Sequence, residues 1–269
     1  GSNVELLTVL GNDQNKKFIL DKLKNYKIDN SIIIDNSRST NFKVRYKFKN
    51  NTIFRLSELS NFEINKKIQN RIFSKVKKLI DNKKINLIIF SDFNYGVLTS
   101  DLIIKITRYA KKKNICLTAD SQISSQIGDI TKYKDINLLS STEFEARTSL
   151  KNAKDGLVVL SEQLRIMTSN LNIILKLQED GAFIHATNKD KNIISEYEND
   201  KILAINKSPL DTAGAGDSFL VATSLSLALG NDIWISALMG NFAAAIQVSR
   251  YGNLPITIDE FRKIVDNQL

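Results

Sequence analysis

Short, mostly apolar runs alternate with helix-length amphipathic segments along most of this chain, and that alternation restricts the fold more than any other feature. Residues 85–90, 115–119, 136–139 and 171–177 have the length and apolar content of strands. Helical periodicity fills the gaps, at about 65–81, from Thr99 or Ser100 as cap to Lys113, at 142–150 and at 155–169. Strands covered on both faces read as near-continuous apolar runs, with the helices as cover, so a mainly parallel sheet in an α/β domain is expected. Ligands in such sheets sit at the carboxyl ends of the strands.

The pattern is different near the N-terminus. Residues 4–10 read as a strand, Asp13 can cap a helix to about Lys24, and 31–34 read as another strand. Then residues 41–48 alternate, Lys49-Asn50-Asn51 supplies turn chemistry, and 52–56 resume extended character. That is a β-hairpin with one basic face, not a βα unit, and a small lid at about 31–60 standing off the main sheet is expected. Towards the C-terminus, strands are expected at 182–186 and 202–205 and helices at 217–229 and 232–251. Thr257 and Glu260 make a capping box for the last helix.

Composition removes several kinds of chemistry. Cys116 is the only cysteine, so an intrachain disulfide and a thiolate zinc site are excluded. A reducing cytoplasm fits that usage. His185 is the only histidine and lies in an alternating, strand-like run, where it reads as a strand residue without chemistry. A Ser-His-Asp or Cys-His site would have to use it. No apolar run is long enough for a membrane span, and the first residues are not a signal peptide. The net charge of +9 comes from lysines scattered over polar helix faces, so no nucleic-acid partner is expected.

The segment Asp211-Thr212-Ala213-Gly214-Ala215-Gly216-Asp217-Ser218-Phe219 carries the chemistry. It precedes an apolar-periodic helix closed by Gly230. Small residues there let backbone approach a ligand, and the free N–H groups of a helix start form an anion site. A carboxylate at such a site would repel phosphate. Asp217 makes sense there if it takes a proton from a hydroxyl attacking that phosphate; on spacing alone it also reads as a helix N-cap above a tight turn.

Residues 211–217 resemble the C-terminal signature of the PfkB/ribokinase carbohydrate kinases, Asp-Thr-x-Gly-Ala-Gly-Asp, at every fixed position. The resemblance implies a ribokinase-like three-layer α/β/α fold, ATP and Mg²⁺ as cofactors, Asp217 as catalytic base, and Gly214, Ala215 and Gly216 as anion-hole amides. Residues 176–182, from Lys176 through Gly181, resemble the family's nucleotide-side hairpin, and 240–245, with Asn241, its adenine-side helix; tight helix packing explains that small-residue run equally well. Thr142, Glu145, Lys176, Gly181, Asp211, Thr212 and Asn241 are the ATP-binding set so implied, with Glu145 holding the metal through water. Within the family, Ser91-Asp92-Phe93-Asn94-Tyr95-Gly96-Val97-Leu98-Thr99, the trio Thr40, Lys43 and Arg45, and Arg55-Leu56 look like the heptose-phosphate kinase domain of the ADP-heptose pathway. That likeness makes Lys43, Arg45, Arg55 and Asp92 the substrate-binding set.

Departures accompany the match. The family's Asn-x-x-Glu is Thr142-Glu143-Phe144-Glu145, its Asp-Pro-Lys is Asp120-Ser121-Gln122, and Tyr95 stands for a lysine. The family's first strand, with a substrate-binding aspartate, and its Gly-Gly hinge have no counterpart. The expectation is therefore one N-terminally truncated kinase domain over residues 1–269, retaining ATP–Mg²⁺ binding but little sugar phosphorylation when made alone. The expected function is phosphorylation of a hydroxyl on a sugar or sugar phosphate. A ribokinase- or fructokinase-like kinase of an unphosphorylated sugar, and a degenerate nucleotide-binding domain, are the alternatives. The resemblance also leaves room for a homodimer through the lid and for a fused nucleotidyltransferase domain in the full-length protein.

Overall fold

The computed structural model describes residues 2–48, 51–82, 85–122, 128–187 and 197–268. It divides into two compact units, Gly1–Lys84 with Asn94–Ile106, and Ile85–Phe93 with Thr107–Leu269.

The first unit holds β1 (Glu5–Leu6), β2 (Val9–Leu10), α1 (Gln14–Asn25), β3 (Asp29–Asn30), β4 (Ile33–Ile34), β5 (Phe42–Phe48), β6 (Asn51–Glu58) and α2 (Lys66–Asn82). The strand expected over 4–10 is two short strands instead, with β1 parallel to β3 and β2 parallel to β4. The run stays extended between them: the carbonyls of Leu6, Thr8 and Leu10 accept from the amides of Ser31, Ile33 and Asp35 at 2.8–3.0 Å. Asp13 caps α1, its Oδ1 accepting from Lys16 N at 3.1 Å, while its Oδ2 accepts from Thr40 N at 2.6 Å. The Thr40 amide is the largest influence holding the Asp13 carboxyl below its ordinary range. Thr40 Oγ1 in turn accepts from Gly11 N, so buried Thr40 anchors the hairpin's base.

That hairpin forms as expected: β5 and β6 pair antiparallel, with an irregularity between Tyr46 and Lys47. The turn residues Lys49 and Asn50 lie outside the described residues. Register sets two faces. Val44 opposes Leu56, and Tyr46 stacks on Phe54 at 5.6 Å, with Phe42, Tyr46, Phe54 and Leu56 all exposed. On the other face Arg45 stands directly opposite Arg55.

Continuing along the chain are β7 (Leu87–Asp92), α3 (Ser100–Lys111), β8 (Cys116–Ser121), β9 (Leu138–Thr142), α4 (Glu143–Leu150), α5 (Leu157–Thr168), β10 (Asn172–Lys176), β11 (Ala182–Thr187), β12 (Tyr197–Ile202), α6 (Ala215–Ala228), α7 (Ile233–Val248) and α8 (Ile258–Gln268). All but the first part of α3 belong to the second unit. The six-stranded sheet there runs β12-β11-β10-β9-β8-β7. Strands β7 to β10 are parallel, while β11 and β12 are antiparallel, so the mainly parallel sheet carries a two-strand antiparallel margin. The strand expected at 202–205 lies earlier, at Tyr197–Ile202, because pairing with all of β11 fixes its register.

Alternation along the strands sorts the two faces. Leu138, Ile174, Ala182, Ile184 and Ala186 pack with Phe219, Ile233 and Ala237 of α6 and α7. One residue on from Ile184, His185 points the other way and meets α5: Nε2 lies 2.7 Å from Glu162 Oε2, and Nδ1 lies 2.5 Å from Asn199 Oδ1. The ring is fully buried. Glu162 is held below its usual range chiefly by Arg165, with His185 adding to it. The lone histidine is thus a structural strand residue.

Helices α6 and α7 cross closely because position 240 is glycine. A Cβ there would lie 2.1 Å from Thr223 Oγ1 and 2.9 Å from Phe219 O. Gly240→Ala should cost about 1–3 kcal/mol, the usual effect of overpacking, read as a lower urea midpoint at an unchanged slope.

Candidate active site

The same alternation collects polar side chains at the carboxyl ends of the parallel strands. On β8, Thr118 Oγ1 lies 2.8 Å from Ser224 Oγ of α6, which fixes the face it shares with Asp120 and, just beyond the strand, Gln122. On β10, Lys176 shares the face of Ile174. Lys176 Nζ meets Asp120 Oδ2 at 2.5 Å, with side chains only 14% and 3% exposed. Burial pushes the Asp120 carboxyl up; Lys176 opposes that, while Glu145 and Asp217 add to it. Its Oδ1 is buried without a hydrogen-bond partner among the described residues.

The loop from Asp211 to Gly216 follows. Asp211 Oδ1 accepts from Ala213 N and Oδ2 from Gly252 N, each at 3.1 Å. Buried Gln247 on α7 donates to Ala213 O and Gly252 O at 3.3 Å, tying the loop to the segment after α7. Thr212 is exposed. Gly214 is the cap of α6 with φ 82°, a left-handed conformation in which a side chain is strained, and a Cβ would meet Asn253 Oδ1 at 2.4 Å. The helix therefore begins at Ala215, two residues before the expected start, and Asp217 is in its first turn, not its N-cap. Ala215 N donates to Thr212 O at 3.3 Å, so that amide, expected in the anion hole, also closes the turn. Gly216 lets Lys176 cross above the helix start: a Cβ there would lie 3.2 Å from Nζ.

Asp217 is half-buried, and its Oδ1 accepts from Gln122 Nε2 at 3.2 Å. Burial raises its pKa above the ordinary carboxylate value; Lys176 and then the Gln122 amide pull the other way. A carboxylate so held is a competent proton acceptor beside a cation and a helix N-terminus.

Thr142 is the cap of α4. Its Oγ1 accepts from Glu145 N at 3.2 Å, and Glu145 Oε2 accepts from Thr142 N at 2.7 Å, a complete capping box. Threonine for asparagine at 142 therefore keeps the cap and keeps Glu145 aligned at the end of β9. Among the described residues no group of three or more His, Cys, Asp or Glu could hold a metal. The donor set is hard oxygen with few carboxylates, which fits a magnesium held by water and phosphate and not an all-protein cage.

Other expected residues do different work. Asn241 is buried on α7 and donates to Leu203 O at 2.7 Å. Gly181, with φ 89°, closes the β10–β11 turn, its carbonyl accepting from Leu177 N at 2.8 Å. Asp92, at the end of β7, is 5% exposed and bound to Tyr133 Oη at 2.7 Å and Lys132 Nζ at 2.5 Å. Lys43, Arg45 and Arg55 belong to the first unit, where Lys43 Nζ lies 5.1 Å from the centre of the Tyr95 ring. Sequence reasoning assigned no role to Asp120, Lys132, Tyr133 or Gln247. Period-two counting back from Gln122 finds Asp120; the other three are set by tertiary packing, with no local signal.

Comparison with known proteins follows the same lines. The model of the pfkB family carbohydrate kinases matches residues 1–257. The Bifunctional protein HldE of Aliarcobacter butzleri is 29% identical over 266 residues, covering 97% of this chain and 52% of that protein. The Sulfurimonas denitrificans protein of the same name is 27% identical, covering 98% and 53%. The chain thus spans about half the length of these relatives. Phosphofructokinase-2 from Escherichia coli, solved with potassium, superposes with a TM-score of 0.77 at 13% identity over 99% of this chain and 82% of its own. Ribokinase from Giardia lamblia gives 0.75 at 18% identity over 98% and 83%. These neighbours share the ribokinase-like α/β fold, and with the family match over almost its whole length, the chain belongs to the PfkB family of carbohydrate kinases.

Proposed function

We infer that the chain transfers the γ-phosphoryl group of ATP to a hydroxyl of a sugar phosphate. The observation that carries this reading is Asp217 in the first turn of α6, one oxygen held by Gln122, with Lys176 crossing the helix start above Gly216. In the proposed reaction Asp217 takes the proton of the acceptor hydroxyl, whose oxygen attacks the γ-phosphorus as ADP leaves. Cap and first-turn amides at Gly214–Gly216 and the Lys176 ammonium stabilise the transferring group. Bound magnesium would neutralise the phosphates, and Glu145, through water, is the residue assigned to it. Thr142, Gly181, Asp211, Thr212 and Asn241 then shape the nucleotide side, the last by fixing backbone.

A phosphorylated acceptor is favoured by the hairpin. Like charges directly opposite each other on a β-ladder are destabilising, and Arg45 faces Arg55 in that way. An anion between them reverses the sign, and two guanidinium forks suit a phosphate. Arg45→Ala or Arg55→Ala should raise KM for a phosphorylated sugar about tenfold at low ionic strength, less as salt is added. An unchanged KM would turn the assignment to an unphosphorylated sugar. Asp92 contributes on the sugar side.

The exposed face of Phe42, Tyr46, Phe54 and Leu56 is assigned to a second copy of the chain, since a lone two-stranded hairpin is marginal in water. Relatives named bifunctional support a second domain joined to this one in the full-length protein. Use of ATP supports a cytoplasmic location, as does a single cysteine, Cys116. No helix among the described residues is long and apolar enough to cross a membrane.

A further inference from the structure

Gln122 takes no part in the reaction just described, yet it touches the base. The alternation that turns Thr118 and Asp120 towards α6 turns Gln122 the same way. Its backbone is fixed independently, since Gln122 N donates to Asp92 O at 2.8 Å at the end of β7. Its side-chain Nε2 lies 3.2 Å from Asp217 Oδ1.

We propose that Gln122 is a positioning residue for the base: its amide holds Oδ1 of Asp217 and leaves Oδ2 to accept the proton of the acceptor hydroxyl. This rests on the kinase reading above. A free carboxylate on a short side chain rotates about its terminal torsion, and a donor on one oxygen selects the rotamer in which the other can reach the substrate. The charged groups facing Asp217 are Lys176 from β10 and Asp120 from β8. Lys176 shares its charge with Asp120, so a neutral amide orders the base without adding a second cation that would weaken its affinity for a proton.

Two variants separate positioning from mere packing. Gln122→Leu keeps most of the volume and loses the donor; kcat should fall about 10- to 100-fold with KM for ATP within about twofold. The acidic limb of the kcat profile should move to higher pH, because a hydrogen bond that favours the charged carboxylate is gone. Gln122→Lys supplies a cation instead, and the limb should move to lower pH. The ¹³C-carboxyl resonance of Asp217, assigned by its absence in Asp217→Asn, should titrate with the same opposed shifts, a readout needing no turnover. If Gln122→Leu does not fold, the Lys variant decides by the direction of its shift. A folded Leu variant with unchanged kcat, or an Asp217 titration that moves in neither variant, overturns the proposal. Failure of the wild-type full-length protein to phosphorylate any sugar tested would overturn the kinase reading instead, and the titration would still decide whether Gln122 sets the carboxylate.

Discussion

Asp217→Asn should lower turnover by about 10²- to 10⁴-fold, the usual worth of a general base, while ATP binds as well or better. The amide is nearly isosteric with the carboxyl, so the first turn of α6 and the loop tied by Asp211 and Gln247 should persist. What is lost is a group able to take a proton. What is gained is the removal of a negative charge from the proposed phosphate site. Stability moves in the opposite direction to activity. Burial raises the folded-state pKa of Asp217 above its unfolded value, so its ionised form costs stability at neutral pH. The Asn variant should therefore unfold at the same or a higher urea concentration near pH 7. Its advantage should shrink as pH falls through the folded pKa, because the wild-type carboxyl then binds its proton in the folded state. Wild-type activity should also fail on the acid side at a pH above that of an ordinary carboxylate.

Lys176→Met should have the largest effect on stability. Among the described residues its ammonium is the hydrogen-bond partner of Asp120, and both side chains are largely withdrawn from water. Removing one member of such a pair leaves a buried charge unpaired, at a cost of about 3–5 kcal/mol. The loss should be greatest at neutral pH. It should diminish on acidification, since the Asp120 folded pKa is already raised by burial and rises further without the cation, so protonation relieves the penalty. Lys176→Met combined with Asp120→Leu should recover most of the stability without recovering turnover, because the cation over Gly216 is still missing. Recovery of both would make the pair purely structural.

How far the sequence foretold this depends on the residue. The strand–helix alternation and the run from Asp211 to Asp217 are local signals, and the sheet and the loop before α6 follow from them. Capping was legible for the same reason: Asp13, Thr99 and Thr257 each accept from an amide three residues on. The start of α6 was misjudged because Gly214, not a side chain, makes its cap, and a glycine in left-handed conformation leaves no polar signature at the N-terminus. Residues 4–10 looked like one strand because hydropathy reports burial, not whether each residue completes a regular ladder. The replacements at 142 and 122 looked like losses. In space, threonine caps α4 and glutamine reaches Asp217. Asp92 and Asn241 stood in family positions, but their bonds to Lys132, Tyr133 and Leu203 come from chain segments far away in sequence.

The central claim is that this chain moves phosphate from ATP to a sugar. Following the full-length protein with MgATP and a panel of sugars and sugar phosphates by ³¹P NMR tests it most directly. One new phosphate monoester per ADP, formed fastest on a phosphorylated sugar and absent with Asp217→Asn, is the predicted result. No new ester with any acceptor, or ADP and inorganic phosphate alone, would contradict it.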